Sequence, residues 1–508
     1  MSIYSFDEAR NAGCAAEMLR KGEWIVPTFN EELRTLKPPL HYYFMMVSFK
    51  LGGFNPFAAR LFSGLFGALT LVFVFWFSNT YFNRQVAWWS TLTLLASLHL
   101  NIQLHMAVPD PYMLFFMTVM FGLFFHFLQT KNPWHIYGMY VSMGACVLLK
   151  GPFAILLPGL IFLVHLILSK KLTFSTIKEL RLLSGLVLGL AIVLPWNIAV
   201  GLATDWEWNK AFYLTQNVGR FTNTMEGHGG SFFLTFAFVL LGMLPFSVFI
   251  PQAFYKAWKH SAKGSLLNYC MILVSIFVVF FALSQTKLPN YTVPVYPFLG
   301  IILGWFLHHS IQIKKPKLWI PLIVNVLIAV AVPIAAYFAI GQEESIGHLQ
   351  HLAFYLIIFP VGAFISLGYY YNKNVRAAFL SIGVSAALMS WLFVAIVFPP
   401  IDQQNPVIQA FNKIDTTQEI AYLGFSNPAF VYELNRSIPV LENHIDLEYF
   451  FKEHPNGYVI SRLRNFQSID YSENWTIIFE QKDLFETARS IIIVPAERKL
   501  EVDTFHKK

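Results

Sequence analysis

Long apolar segments separated by short polar loops are the feature of this sequence that most constrains its fold. Of 508 residues, 56% are hydrophobic and only 13% are charged. A helix needs about 20 largely apolar residues to cross the hydrocarbon core of a bilayer. Twelve segments have this character, and they are Phe57–Phe77, Val86–Leu104, Tyr112–Leu128, Ile136–Leu149, Phe153–Leu168, Leu182–Val200, Phe232–Phe254, Leu266–Leu283, Val293–Leu307, Leu318–Ile340, Leu352–Tyr371 and Ala377–Val397. The sequence therefore predicts a polytopic α-helical membrane protein with about 12 transmembrane helices.

The charges of the short loops predict the orientation of these helices. Loops on the cytoplasmic side of a membrane protein carry an excess of Lys and Arg. Every second loop here is basic, with cations at Arg84, Lys131, Lys170 to Arg181, Lys256 to Lys263, Lys314 to Lys317, and Lys373 to Arg376. The alternate loops, which this topology places outside, hold Asp7, Asp110, Lys150, Asp205 to His228, Lys287, and Glu343 with Glu344. The chain is expected to return to the outer side after its last helix.

The C-terminal part changes from helical patterns to short strings typical of strands. Residues 421–425, 457–460 and 490–494 are apolar runs of strand length, separated by helical patterns. We therefore predict three parts. They are an extracytoplasmic first loop with an amphipathic juxtamembrane helix over residues 1–56, a multi-helix transmembrane domain over 57–398, and a soluble extracytoplasmic α/β domain over 399–508.

A short amphipathic helix is predicted at the start of the chain. Ser5 followed by Glu8 has the spacing of a capping box, and Ala9 begins an apolar stripe at helical spacing. We expect this helix to lie along the membrane surface, where Asp7 and Arg10 can form a local ion pair. On spacing alone, capping explains Glu8 better than catalysis does. Because no apolar segment precedes this helix, a first membrane helix is expected to be missing.

Ionisable residues gather at the outer ends of the predicted helices. Lys37 and Asp110 each stand beside prolines, which hold neighbouring residues in stiff, extended corners. Lys287 occupies the same outer side, and Arg220 and His228 lie in the longest outer loop. Ion pairs that only hold loops together would give the same pattern of charged residues. The positions of these residues therefore fit both a structural and a functional role.

Several short motifs, taken together in their order and spacing, resemble a known family. The motifs are Asp7-Glu8-Ala9-Arg10, Glu17-Met18-Leu19, Gly22-Glu23-Trp24, Lys37-Pro38-Pro39-Leu40-His41-Tyr42, Ala58-Ala59-Arg60-Leu61, Asp110, Lys150-Gly151-Pro152, Asn217-Val218-Gly219-Arg220-Phe221 and Lys287-Leu288-Pro289-Asn290-Tyr291. They resemble bacterial GT-C glycosyltransferases of the dolichyl-phosphate-mannose protein mannosyltransferase superfamily, in its aminoarabinose lipid A transferase branch. The resemblance implies thirteen membrane helices and an outer α/β domain in the bacterial cytoplasmic (inner) membrane, with the active site on the periplasmic or extracellular side.

The expected activity is transfer of a sugar from a polyprenyl-phosphate donor to a lipid A, protein or glycan acceptor. An outer site has no supply of nucleotide sugars, and the sequence has no Gly-rich phosphate loop to bind one. The leaving phosphate needs cations, for which Arg10, Lys37, Arg220 and Lys287 are the candidates. By resemblance, Asp7 is the catalytic general base and Asp110 the second acid of the site. Further site candidates are Glu8, His228 and Tyr291.

A bound metal is not supported by the sequence. In the lipid A branch that the motifs resemble, an acidic residue precedes the lysine of the Lys-Pro-Pro motif and can bind metal with a loop histidine. Here that position is Leu36, which leaves His228 without its partner. Since zinc and calcium sites normally need three or more protein ligands, no cofactor is predicted and a divalent metal is disfavoured.

The competing function class is a polytopic transporter or lipid flippase without glycosyl transfer. Such proteins place ionisable or helix-breaking residues near the middle of the bilayer. This sequence keeps Asp and Glu out of the middle of its apolar segments, which favours chemistry at the membrane surface. Its Lys and Arg form no single patch, so a nucleic-acid partner is not expected. Membrane lipids, a lipid-linked sugar donor and an acceptor are the predicted partners.

Overall fold

The structure is a computed structural model that describes residues 1–3, 5–219, 229–468 and 474–498. Its N-terminal and membrane parts are helical apart from one small hairpin, β1 (Thr28–Phe29) with β2 (Glu32–Leu33). The helices are α1 (Phe6–Lys21), α2 (Leu40–Gly52), α3 (Pro56–Tyr81), α4 (Arg84–Leu95), α5 (Leu98–Leu104), α6 (Asp110–Thr130), α7 (Pro133–Lys150), α8 (Phe153–Leu168), α9 (Phe174–Glu179), α10 (Leu182–Ala203), α11 (Glu207–Lys210), α12 (Leu234–Gly242), α13 (Ile250–His260), α14 (Leu266–Leu283), α15 (Tyr296–Gln312), α16 (Trp319–Gln342), α17 (Ile358–Tyr371), α18 (Val375–Leu392) and α19 (Phe398–Asp402). Short 3₁₀ or π-helical turns at Ala211–Val218, Phe246–Phe249, Pro289–Val295, Gly347–Ile357 and Phe393–Val397 extend or join them.

Within the described ranges, eight helices are long and apolar enough to cross a membrane. Their bounds are Pro56–Tyr81, Asp110–Thr130, Phe174–Ala203, Leu266–Leu283, Pro289–Gln312, Trp319–Gln342, Gly347–Tyr371 and Val375–Asp402. A ninth span results if the pair Leu234–Gly242 and Phe246–His260, bent by 116°, is counted as one. The prediction of a polytopic helical membrane protein is confirmed.

Three of the about 12 predicted spans form helices that are not among these candidate spans. They are Val86–Leu104, Ile136–Leu149 and Phe153–Leu168. The segment Val86–Leu104 breaks at Ser97, whose hydroxyl accepts a hydrogen bond of 3.1 Å from the Leu100 amide and so starts a new helix. The other two, α7 and α8, are separated by Gly151, whose φ of 99° ends α7 in a conformation that suits glycine. The Ser97 cap thus divides a stretch that reads as one apolar segment. The turn at Gly151 lies at the Lys150-Gly151-Pro152 boundary that already separates two short predicted segments.

A five-stranded mixed sheet forms the core of the C-terminal domain. Its strands are β3 (Ile420–Leu423), β4 (Val440–Leu441), β5 (Tyr458–Arg462), β6 (Trp475–Lys482) and β7 (Arg489–Pro495), and its helices are α20 (Pro406–Phe411), α21 (Ala429–Leu434), α22 (His444–Glu453) and α23 (Leu463–Gln467). The strand order is β4-β3-β5-β7-β6, with β4, β3 and β5 parallel and the last two pairings antiparallel. This confirms the predicted C-terminal α/β domain.

Alternation along these strands divides the apolar side chains between two cores. On β3, Ala421 and Leu423 pack with Phe450 of α22 on one face of the sheet. Ile420 and Tyr422 point to the other face, into the cluster that contains α1 and α2. The sheet thus uses one face for its own domain and the other to cover the first helix.

Helix α1 is buried between the membrane helices and the C-terminal domain. Its stripe of Ala9, Ala12 and Ala15 is fully buried, and these small side chains allow close approach to α2 on one side and to α21 on the other. The predicted apolar stripe therefore faces protein on both sides.

A buried ion pair fixes the start of α1. Arg60 Nε and Glu8 Oε1 are 2.8 Å apart, and the Ala107 amide donates a bond of 2.7 Å to the same oxygen. The Glu8 carboxylate is fully buried. The predicted capping box with Ser5 is therefore wrong: once buried, this carboxylate takes a charged partner in preference to the helix end.

The residues assigned to the two sides of the membrane lie at opposite ends of the helices. Glu343 and Glu344, just after α16, form ion pairs of 3.0 Å and 2.9 Å with Lys482 and Arg489 of the C-terminal domain. At the far end of α6, Lys131 pairs with Glu179 at 2.6 Å. The loop that holds Glu343 and Glu344 and the loop that holds Lys131 therefore lie at opposite ends of the helices.

We expect Glu8→Gln to lower the free energy of unfolding by about 3 kcal/mol, because Arg60 would keep a largely buried charge without its carboxylate. The measurement is the thermal unfolding midpoint of the purified protein in detergent. The exposed neighbour Asp7→Asn should leave this midpoint unchanged, and the double variant Glu8→Gln/Arg60→Met should lose less than Glu8→Gln alone. Equal midpoints for wild type and Glu8→Gln would show that the ion pair does not hold α1 in place.

Candidate active site

A cavity opens at the end of the membrane helices that faces the C-terminal domain. Polar side chains on its wall come from five separate segments, and they are Lys37, Lys150, Gln216, Ser284, Asn290 and Tyr291. The rest of the wall is apolar and mainly aromatic, with Phe153, Phe212, Phe277, Phe280 and Phe281 beside Leu36, Met113 and Pro294. Cations and an apolar wall therefore meet in one space.

The charge at the floor of this cavity is set by the ion pair of Lys150 and Asp110. Lys150 Nζ lies 2.6 Å from Asp110 Oδ1, and their side chains are only 11% and 7% exposed. Asp110 begins α6 and Lys150 ends α7, so each charge stands at the helix end whose dipole stabilises it. Lys150 Nζ also lies 5.7 Å from the centre of the Tyr291 ring. The sequence does not predict Lys150 as a site residue, although a lysine before Gly-Pro at the end of an apolar helix is a signal for one.

Lys37 and Lys287 stand in different positions relative to this cavity. Lys37 lines it directly. Lys287 is buried, and its ammonium donates a hydrogen bond of 2.6 Å to the backbone carbonyl of Ser284, a residue of the cavity wall. Lys287 therefore holds the backbone of a wall residue in place and does not itself line the cavity.

Asp7 and Arg10 line a second cavity, of about 1170 Å³, between α1 and the C-terminal domain. Asp7 is exposed to this space, and the Arg10 guanidinium lies 5.3 Å from the ring centre of Phe425. Arg10 also lines a third cavity, of about 1000 Å³, which shares Leu36 with the first one. Shared wall residues thus connect the Asp7 region to the Lys37 and Lys150 region.

Three predicted site residues have other outcomes. Glu8 is occupied by Arg60 and the Ala107 amide, so its buried position is structural. Arg220 and His228 lie outside the described residues. Among the residues that are described, no group of three or more His, Cys, Asp or Glu could hold a metal ion.

A buried histidine beneath these cations was not predicted. His41 is fully buried in α2. Burial, followed by the charges of Arg34, Lys37 and Lys150, holds the pKa of His41 well below its usual range. Arg34 is itself buried and donates hydrogen bonds of 2.9 Å to Tyr42 and Asn11. The neutral imidazole therefore adds no charge to a region that is already cationic.

Comparison with known proteins agrees with this architecture. Residues 36–198 match the family described as dolichyl-phosphate-mannose-protein mannosyltransferase, and this stretch contains Lys37, Asp110 and Lys150. The match covers about a third of the chain. A protein of Aquifex aeolicus is 29% identical over 307 residues, which are 60% of this chain and 68% of that protein.

Two further similar proteins carry informative names. The undecaprenyl phosphate-alpha-4-amino-4-deoxy-L-arabinose arabinosyl transferase of Yersinia pestis is 28% identical over 337 residues, or 65% of this chain. The match spans 60% of the length of that transferase. The crystal structure of ArnT from Cupriavidus metallidurans bound to undecaprenyl phosphate has a TM-score of 0.76 at 19% identity, covering 97% of this chain and 94% of that one. The two chains therefore share a fold over almost their whole length.

We expect the buried His41 to make this protein less stable in acid. An imidazole in the unfolded chain titrates near pH 6.5, so below about that pH the unfolded state binds a proton that folded His41 does not. The free energy of unfolding should then fall by up to about 1.4 kcal/mol per pH unit, with no contribution from His41 well above that pH.

The measurement is the unfolding midpoint in detergent between about pH 5 and 8. In His41→Phe, the unfolding midpoint should decrease less as the pH falls than it does in wild type. His105→Phe, at an exposed position, should show the same pH dependence as wild type. The same acid slope in wild type and His41→Phe would contradict a neutral His41.

Proposed function

We propose that this chain is a membrane glycosyltransferase that moves a sugar from a polyprenyl-phosphate donor to a lipid A, protein or glycan acceptor. The observation that carries the proposal is the cavity in which Lys37 and Lys150 stand against a wall of phenylalanine side chains. The phosphate of a lipid-linked sugar carries one negative charge while the sugar is attached and up to two after it leaves, and its lipid tail is apolar. The cations and the phenylalanine wall complement these two parts. The names of the Yersinia and Cupriavidus relatives, which contain undecaprenyl phosphate, support the same donor class.

In this proposal, cations hold the donor phosphate before and after the sugar leaves. Lys37 and Lys150 act as point charges on the phosphate oxygens, and Asp110 keeps the Lys150 ammonium in position through their 2.6 Å contact. Arg10 approaches from the adjoining cavity, and Lys287 maintains the wall. Arg220 completes the set of proposed phosphate-binding residues.

The proposed reaction breaks the bond between the sugar C1 and the phosphate oxygen. An acceptor oxygen forms the new bond to C1, its proton passes to the Asp7 carboxylate, and the electron pair of the broken bond stays on the phosphate. Asp7 suits this role because it is exposed to a large cavity in which an acceptor has room. Polyprenyl phosphate and the glycosylated acceptor are the products.

We also propose where the protein works and how its parts divide. The basic loops at one end of the helices favour a cytoplasmic position for that end in a bacterial inner membrane. Both cavities and the C-terminal domain then lie on the periplasmic or extracellular side. Residues 1–56 and 399–508 enclose Asp7, and residues 57–398 supply Asp110 and Lys150.

We expect Lys150→Met to weaken the binding of undecaprenyl phosphate by about 10- to 100-fold, because a charge-assisted hydrogen bond contributes about 1.5–3 kcal/mol. Lys37→Met should have an effect of the same order. The measurement is equilibrium binding of undecaprenyl phosphate to the purified protein in detergent. Lys50→Met, on the exposed side of α2, is the matched control and should bind as wild type does. Wild-type affinity in both site variants would rule out this cavity as the phosphate site.

We expect Asp7→Asn to reduce sugar transfer by a factor of about 10² to 10⁴ while undecaprenyl phosphate still binds within about twofold, because only the proton acceptor is lost. Mass spectrometry of lipid A and envelope glycans, in cells with the wild-type gene, each variant or no gene, measures the transferred sugar. Asp205→Asn removes another exposed acid from the same end of the helices and should transfer normally. Transfer at the wild-type level by Asp7→Asn would disprove the general base. A solute-uptake defect without any change in glycans would instead favour a transporter.

A further inference from the structure

A basic cavity of about 1160 Å³ lies at the end of the helices opposite the candidate active site. Its walls come from the loop between α15 and α16 and from the turn between α17 and α18. The opposite end of α16 is held to the C-terminal domain by the ion pair of Glu343 with Lys482. Since α16 spans 24 residues, the cavity is about 36 Å from that domain, the thickness of a membrane.

Four exposed cations line this cavity, and they are Lys314, Lys315, Lys373 and Arg376. Its wall, which lies entirely within described residues, contains no Asp or Glu. Cytoplasmic loops of membrane proteins are basic as topology signals, and this explains the sign of the charge. It does not explain why cations from two separate loops converge on one concave space.

The two loops are also fixed to each other. The Tyr370 hydroxyl donates a hydrogen bond of 2.5 Å to the Pro316 carbonyl and accepts one of 3.1 Å from the Leu318 amide. The Trp319 and Tyr370 rings pack edge to face with centroids 4.9 Å apart. These contacts hold the cavity in shape without any contribution from the four cations, which leaves the charged groups available at the surface.

The cavity stands at the depth of lipid headgroups. Trp319 begins one candidate span, Tyr371 ends the next, and Val375 begins the third. Trp and Tyr side chains concentrate at this level of a bilayer. Below the cavity, α16 presents exposed apolar side chains at helical spacing, and these are Ile320, Ile323, Val324 and Leu327.

We propose that this cavity binds the phosphate headgroup of an anionic phospholipid from the adjoining leaflet. Lys314 and Lys315 approach the phosphate from one loop, and Lys373 and Arg376 from the other. The acyl chains lie along the apolar stripe that starts at Ile320. The lipid then joins α16 to α17 and α18 on the side where no protein domain covers them in the described structure. This site is separate from the proposed donor site and does not depend on glycosyl transfer.

The test compares two variants that each lose four positive charges from the same end of the helices. The site variant is Lys314→Gln/Lys315→Gln/Lys373→Gln/Arg376→Gln. The control is Lys170→Gln/Lys178→Gln/Lys259→Gln/Lys263→Gln, whose four residues are exposed and lie outside the cavity. Each full-length protein is purified, exchanged into mixed micelles of equal phosphatidylglycerol and phosphatidylcholine, and examined by native mass spectrometry for retained lipid.

Wild type and the control variant should retain phosphatidylglycerol about tenfold over phosphatidylcholine, and the site variant should lose this preference. Glycerol phosphate and inorganic phosphate, added as competitors, should not displace the lipid because they lack acyl chains. An equal loss of the phosphatidylglycerol preference in both variants would show that general surface charge, and not this cavity, causes it. A wild-type protein without any preference for phosphatidylglycerol would disprove the site. Displacement by the soluble phosphates would show that the cavity takes a soluble anion. Equal unfolding midpoints of the wild type, the site variant and the control variant would exclude misfolding as the cause of lost lipid binding.

Discussion

Hydrocarbon offers charged and polar groups no partners, and this constraint decides where every ionisable residue of this chain can stand. Three of the buried charged residues that the structure describes show this: Glu8 pairs with Arg60, Asp110 pairs with Lys150, and Lys287 donates to the Ser284 carbonyl. These three contacts lie at the same end of the helices. A bilayer thus favours charged residues at the helix ends, and the packing of the helices brings these residues into contact with one another.

Helix α1 connects the parts of the molecule that surround this site. It carries Asp7 and Arg10 on the side that faces the cavities, and its alanine stripe packs between α2 and the C-terminal sheet. The ion pair of Glu8 and Arg60 fixes its start against α3. The position of Asp7 therefore depends on both domains, which is why a soluble domain is part of the proposed catalytic architecture and not only an appendage to the membrane helices.

Charge and shape divide the proposed reaction between two neighbouring spaces. Lys37 and Lys150, against phenylalanine side chains, suit the lipid phosphate, whereas the more polar cavity at Asp7 suits an acceptor. A third cavity lies next to both, since it shares Arg10 with the cavity at Asp7 and Leu36 with the cavity at Lys37 and Lys150. In the proposed reaction, the donor and the acceptor would therefore approach from different directions.

Periodicity and loop charge by themselves determined the membrane class, most of the spans, the sheet-containing domain and the alternation of loops between the two ends. These properties follow from local composition, because a span or a buried strand must be apolar over its own length. The functional role expected for Lys37 also rested on a local property, the stiffness of Lys-Pro-Pro. The break at Ser97 was harder to see, since a hydroxyl cap depends on one residue in an otherwise apolar stretch.

Only the tertiary structure decided which partner each charge has. Glu8 fits a capping box in the sequence, but burial brought Arg60, 52 residues away, to its carboxylate. Lys150 reads as a loop cation until α6 and α7 are paired and Asp110 lies beside it, 40 residues away. Loop charge shows on which side of a membrane a residue stands, but contact partners depend on how helices distant in sequence pack together.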